Sequence, residues 1–317
     1  MKRLVLGKSG IEVTELCFGA LTMGPLQANM TEDKGAEVIL TALKSGVNFI
    51  DTAELYRTYL HIKKALDNFD GEVVIATKSG AQTYEAMEQS VQKALTEMGR
   101  SYIDIFLLHA AKVSTEVFNE RAGAWQCLLD YKAKGIIKAV GISTHVVKVV
   151  EVAAEVEEVD IVFPIINKLG MGIVGGTAEE MLAAIAKAHQ AGKGLYAMKA
   201  LAGGHLIDEI VDAYAYVRKI EGINSVAVGM VREEEVDLNV RLFRDEQVPP
   251  EALLKKSNAN KKLIVSHIMC KGCGICAKTC PNDALAVSEG KVWANHQKCL
   301  LCGYCNPVCP EFAIRLA

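Results

Sequence analysis

Val73-Val-Ile-Ala-Thr-Lys78, the amphipathic stretch Tyr84–Met98 and Asp104-Ile-Phe-Leu-Leu-His109 follow one another with only short breaks. Each apolar run is short and ends in a polar residue, which is how a strand buried on both faces reads. The stretch between them carries a helical period. Strand, helix, strand is the unit, and it repeats in both directions. Strands are expected at Glu15–Gly19, Asn48–Asp51, Val73–Lys78, Asp104–His109, Ala139–Ser143, Ile161–Asn167, Gly194–Lys199 and Ser225–Gly229. Helices are expected at Thr31–Ser45, Tyr84–Met98, Glu116–Lys134, Ala178–Ala191 and Glu233–Phe243. Thr31 ahead of Lys34 is an N-cap, and Thr177 with Glu180 makes a capping box.

This alternation implies a parallel sheet covered by helices, and eight units in this length predict an α/β fold, a (β/α)8 TIM barrel. A doubly wound sheet competes, but Cys17-Phe-Gly-Ala-Leu-Thr-Met-Gly24 lacks the glycine pattern such a sheet carries after its first strand. Leu4–Val13, with a turn at Lys8-Ser-Gly10, reads as a hairpin suited to plug the barrel floor. Beyond Phe243 the composition shifts. Residues 244–262 contain Pro249-Pro250, Ser257-Asn-Ala-Asn260 and Lys261-Lys262 and read as a linker, with a short helix at Glu251–Lys256. The expected division is a barrel at 1–243, the linker, and a small domain at 263–317.

That small domain holds eight of the ten cysteines. Cys270-x2-Cys273-x2-Cys276-x3-Cys280-Pro281 recurs 29 residues later as Cys299-x2-Cys302-x2-Cys305-x3-Cys309-Pro310. Zinc sites come as separated cysteine pairs, and disulfides are foreign to a reducing compartment. Three cysteines in close series suit a cuboidal iron–sulfur cluster, with the fourth sent to the other cluster. Cys270, Cys273, Cys276 and Cys309 are expected to hold one [4Fe–4S] cluster, and Cys299, Cys302, Cys305 and Cys280 a second. The module resembles a bacterial two-cluster ferredoxin.

The chain has 317 residues, about half of them apolar, and a formal net charge of -3. Nothing in that balance points to nucleic acid. No apolar run is long enough for a membrane span, and the first residues are too polar for a signal peptide, so a cytoplasmic protein is expected.

Asp51, Lys78 and His109 end neighbouring expected strands, and Tyr56 lies one turn beyond Asp51. In a TIM barrel that end is the catalytic face. This set resembles the aldo-keto reductase family, over roughly residues 1–243. The resemblance implies a tetrad of Asp51, Tyr56, Lys78 and His109, with a nicotinamide held by Gly19, Asp51, Ser143, Asn167, Lys199, Gly203, Gly229, Arg232 and Asn239. Tyr56 would be the proton donor, with Lys78 lowering its pKa, Asp51 holding Lys78 and His109 orienting a carbonyl oxygen. The ferredoxin-like module stands where family members carry a substrate-covering loop.

Glu233-Glu-Glu235 beside Arg232 disfavours a 2′-phosphate, so NADH stands beside NADPH as the expected cofactor. Hydride moves two electrons and each cluster moves one. FMN, which handles both, is therefore an alternative cofactor on the same barrel, with a ferredoxin-type electron partner. A non-catalytic electron carrier is the remaining alternative. The leading expectation is an oxidoreductase interconverting a small-molecule carbonyl and alcohol.

Overall fold

The computed structural model describes residues 1–249, 262–311 and 313–316. Among them, β1 (Arg3–Val5) and β2 (Glu12–Thr14) pair as an antiparallel hairpin. The barrel strands follow: β3 (Leu16–Gly19), β4 (Phe49–Asp51), β5 (Val74–Ser79), β6 (Ile103–Ala110), β7 (Ile137–Thr144), β8 (Ile161–Pro164), β9 (Gly194–Met198) and β10 (Ile223–Gly229). They close into an all-parallel barrel in chain order, β10 pairing with β3. The outer layer is built mainly from α1 (Glu32–Lys44), α2 (Tyr59–Leu66), α3 (Tyr84–Met98), α4 (Val117–Glu120), α5 (Ala122–Ala133), α6 (Val147–Glu155), α7 (Ala178–Gln190), α8 (Ile210–Arg218) and α9 (Glu233–Phe243).

Strand alternation sorts the side chains into two cores. Phe18, Ile50, Ile75, Phe106 and Leu108 point outward under the helices. Cys17, Phe49, Ala76, Ile105, Leu107 and Tyr196 fill the barrel. Leu6, Ile11 and Val13 of the hairpin join that inner core, so the hairpin does plug the floor. The same alternation makes Asp51, Lys78 and His109 the next inward positions after Phe49, Ala76 and Leu107. Thr31 and Thr177 cap α1 and α7 as their sequences predict, the latter with a complete capping box.

Two expectations need correction. The helix expected over Glu116–Lys134 is broken at Arg121 into α4 and α5, where Arg121 takes φ -115 and ψ 32 and its guanidinium donates to the His109 carbonyl at 3.1 Å. The strand expected to reach Asn167 stops at Pro164, which brings no N–H to the ladder. The helix expected at Glu251–Lys256 lies outside the described residues.

The cysteine-rich segment contains β11 (Leu263–Val265), α10 (Ile275–Thr279), β12 (Leu285–Ser288), β13 (Lys291–Ala294) and β14 (Ile314–Leu316). β11 pairs with β14, and β12 with β13, both antiparallel. The sequence repeat survives in the hydrogen bonds. Cys270 N donates to Ser266 O and Cys299 N to Asn295 O, at 2.9 and 3.1 Å. Ala284 N donates to Cys280 Sγ and Ala313 N to Cys309 Sγ, each at 3.3 Å.

Candidate active site and cluster module

At the C-terminal end of β4 and β5, Lys78 Nζ sits between both oxygens of Asp51 at 2.9 and 2.8 Å and also donates to Thr52 O at 2.6 Å. The pair is shut off from water. Burial pushes the carboxyl up and the ammonium down, and their mutual contact opposes both shifts. The Tyr196 hydroxyl donates to Asp51 Oδ1 at 2.8 Å, and its ring stacks on Phe163 with centroids 3.8 Å apart. Tyr196 reaches Asp51 from the seventh barrel strand, β9, and no local sequence signal announces that contact.

Lys78 Nζ lies 4.9 Å from the centroid of the Tyr56 ring, and Tyr56 meets His109 edge to face at 5.8 Å. The four expected residues therefore converge. One expectation about them changes. Tyr56 does not have a lowered pKa: burial raises it first, followed by Tyr304 and Asp51. The physical reason is that the Lys78 ammonium is committed to Asp51 and Thr52, while the phenol lies in an apolar slot with Leu26 and Ala53. Burial, then Lys78, Lys199 and Arg121, lower the His109 pKa to about 3, so its imidazole is neutral.

The residues expected around a nucleotide divide. Gly19 and Gly229 are register partners at adjacent strand ends. A Cβ on Gly229 would stand 2.2 Å from Thr22 Cγ2, and Thr22 Oγ1 is buried without a partner among the described residues. Ser143 is buried in register with His109. Lys199, at the end of β9 with φ 59, forms no ion pair among the described residues. This cation and orphan hydroxyl suit a phosphate-bearing cofactor. The remaining four are engaged elsewhere. Asn167 bonds the Leu169 and Met171 backbone of its own loop. Asn239 is held by Tyr214 and Glu235 O at 2.7 Å each. Arg232 pairs with Glu235 at 2.9 Å. Gly203 lies against Leu300 of the cysteine module.

That module seats on the same barrel face. Lys112 pairs with Asp283 at 2.7 Å, His205 Nε2 lies 2.9 Å from Cys299 O, and Leu300 enters the barrel's outer core. A Cβ on Gly203 would stand 2.4 Å from Leu300 O, and one on Gly303 2.2 Å from Leu26 O. Both glycines hold positive φ, so backbone meets backbone where no side chain fits. Tyr304 follows, and its hydroxyl lies 3.1 Å from His109 Nε2.

A cavity is lined by Cys280, Cys299, Cys302 and Cys305 together. Burial raises the pKa of Cys276, a backbone hydrogen bond from Ala277 opposes it, and the nearby Cys309 and Cys273 add to the rise. The donor chemistry, eight thiols in two close series, fits an iron–sulfur group.

The aldo/keto reductase family profile matches residues 15–220, and a 4Fe–4S binding domain profile matches residues 264–286. Similar proteins include the uncharacterized oxidoreductase YqkF of Bacillus subtilis, 26% identical over 45% of this chain and 49% of its own length. The NADPH-dependent alpha-keto amide reductase of Saccharomyces cerevisiae is 31% identical over 39% of this chain and 44% of its own length. The chain spans about half the length of the curated relatives it matches. Among solved structures, the aldo-keto reductase PA4992 of Pseudomonas aeruginosa shares the fold with a TM-score of 0.66 at 23% identity, over 77% of this chain and 95% of its own. AKR11C1 of Bacillus halodurans does so with a TM-score of 0.65 at 20% identity, over 80% and 96%. The profile spans most of the barrel, from β3 to the residues just before β10, and on that ground the chain belongs to the aldo/keto reductase family and carries a 4Fe–4S binding domain after the barrel.

Proposed function

We propose that this chain reduces a small-molecule carbonyl with a nicotinamide cofactor, NADH in preference to NADPH, and holds two [4Fe–4S] clusters in electronic contact with that site. The observation that carries the reading is the convergence of Tyr56, His109 and the Lys78–Asp51 pair at neighbouring strand ends. When bound, a nicotinamide supplies hydride, and each cluster supplies or takes one electron. Everything else is the work of side chains. Tyr56, its pKa raised by burial, stays a phenol at neutral pH and holds the proton that a reduced oxygen needs. The neutral His109 offers one ring nitrogen to orient that oxygen without competing for charge. Lys78 fixes Asp51, and its ammonium lies 4.9 Å from the centroid of the Tyr56 ring. Leu26 and Ala53 exclude water beside the phenol.

For the clusters, Cys270, Cys273, Cys276 and Cys309 would hold one, and Cys299, Cys302, Cys305 and Cys280 the other. Cys273 is exposed, and Ile268, Met269, Ile275, Val287 and Trp293 are exposed on the same module. These exposed apolar side chains suit a ferredoxin-type partner exchanging electrons with the first set. The test is an anaerobic stopped-flow mix of the purified holoprotein with NADH, then NADPH, watching visible cluster bleaching, with aryl and aliphatic aldehydes in steady state. Tyr56→Phe abolishes carbonyl reduction while dithionite still bleaches the clusters. Undiminished NADH-dependent carbonyl reduction in that variant sinks the reading. A flavin band after cluster extraction replaces nicotinamide by FMN as the barrel's cofactor.

A further inference from the structure

His109 Nε2 lies 3.1 Å from the Tyr304 hydroxyl, and the two rings meet edge to face with centroids 6.0 Å apart. Tyr304 belongs to Cys302-Gly-Tyr-Cys305, the loop that carries two of the second set's thiols. Its ring packs against the slot formed by Leu26, Ala53 and Tyr56. The two phenols lie close enough for each to shift the other's pKa.

Hydrogen-bond counting decides what this means. A nitrogen of a neutral imidazole makes one hydrogen bond, as donor or as acceptor. His109 Nε2 already makes that bond with Tyr304. A carbonyl oxygen seated between Tyr56 and His109 needs the same nitrogen. The Tyr304 hydroxyl and a substrate oxygen therefore exclude one another. Tyr304 does not assist a bound oxygen; it stands in its place.

We propose that Tyr304 is the specificity-determining gate of the site, an internal aryl ligand that an incoming aryl carbonyl or benzylic alcohol replaces, ring for ring and oxygen for oxygen. This rests on the proposed role of Tyr56 and His109. The ligand class follows from the slot, whose walls are Leu26 and Ala53 and whose aromatic edges are Tyr56 and His109. A phenol fills it in the closed state. The backbone beneath Tyr304 is fixed by the Gly303–Leu26 contact, so the exchange is a rotation of the Tyr304 side chain.

The probe is p-cresol, the tyrosine side chain as a free molecule, titrated calorimetrically into anaerobic holoprotein. Tyr304→Phe keeps the ring and removes its hydrogen bond to His109, so p-cresol binds about tenfold tighter than to wild type. Tyr304→Ala binds it tighter still, and prefers it to toluene because the freed His109 recovers a hydroxyl partner. Visible cluster absorbance per chain checks that Tyr304→Ala keeps its iron; if it does not, the Tyr304→Phe titration alone decides the matter. Equal or weaker p-cresol binding in Tyr304→Phe overturns the gate. With benzaldehyde as substrate, the gate lowers KM in Tyr304→Phe at preserved kcat, whereas a fall in kcat at unchanged KM overturns it in favour of a donor role. The two proposals fail separately. Tighter p-cresol binding without turnover supports the gate and sinks the reductase reading. Turnover with unchanged p-cresol affinity overturns only the gate.

Discussion

Lys78 and Asp51 form an ion pair 2.8 Å long with side chains 0% and 5% exposed, and it stands at the centre of the candidate site. Removing one partner strands a charge in the barrel. Asp51→Asn is expected to lower unfolding free energy by roughly 3–5 kcal/mol. Tyr196→Phe, which deletes only the 2.8 Å hydrogen bond to Asp51, is expected to cost about 1–3 kcal/mol. Urea unfolding of the holoprotein measures both. Equal stability of Asp51→Asn and wild type would mean that the two side chains are not ionised in the folded chain.

His109 gives a pH dependence of known sign. Its folded pKa, about 3, lies below the value near 6.5 that an unfolded histidine has. Between those values the unfolded chain binds the extra proton, so stability rises with pH and is lost as pH falls from about 6.5 toward 3. The slope approaches about 1 kcal/mol per pH unit at its steepest. His109→Gln should flatten that part of the stability profile. The positive neighbours Lys78, Lys199 and Arg121 set the same direction as burial. The rate profile should carry no inflection from His109 between pH 5 and 8.

Arg232 and Glu235 predict nucleotide choice. With the guanidinium paired at 2.9 Å and Glu233 and Glu234 in the same helical turn, kcat/KM should favour NADH over NADPH. Glu235→Arg removes the pairing carboxylate and adds a cation. It should raise kcat/KM for NADPH by roughly tenfold, the equivalent of one charge-assisted hydrogen bond. A wild-type preference for NADPH would contradict this.

The proposed crossing of the thiol sets predicts paired losses. Intact holoprotein should contain about eight iron atoms per chain. Cys309→Ser should disturb the cluster of Cys270, Cys273 and Cys276, and Cys280→Ser the cluster of Cys299, Cys302 and Cys305. Iron analysis with electron paramagnetic resonance of each reduced variant distinguishes the two. If Cys309→Ser instead perturbs the same signal as Cys299→Ser, the sets are not crossed.

The barrel is legible in the sequence because its strands alternate. Asp51, Lys78 and His109 each stand two residues beyond an apolar inward residue, and that rhythm alone aims them into the barrel. The break at Arg121 is not legible, since the helical period continues across it and the cause is a bond to the His109 carbonyl. Tyr196 and Tyr304 escape a sequence reading for a different reason. Their partners lie 145 and 195 residues away, and nothing in their immediate sequence marks them. The sign of the Tyr56 pKa shift is also hidden, because charge proximity is visible in a motif and burial is not.

The two facing glycines, Gly203 under Leu300 and Gly303 over Leu26, have a consequence for how this chain tolerates change. Each half of the molecule contributes one side-chain-free step at the seam. A methyl group at either would stand 2.4 or 2.2 Å from a carbonyl oxygen, so the iron–sulfur half would have to give way, and the 3.1 Å contact of Tyr304 with His109 would be strained. The alignment of two chemistries thus depends on two atoms' worth of empty space, and a mutation that leaves every thiol and every reacting group intact can still uncouple them.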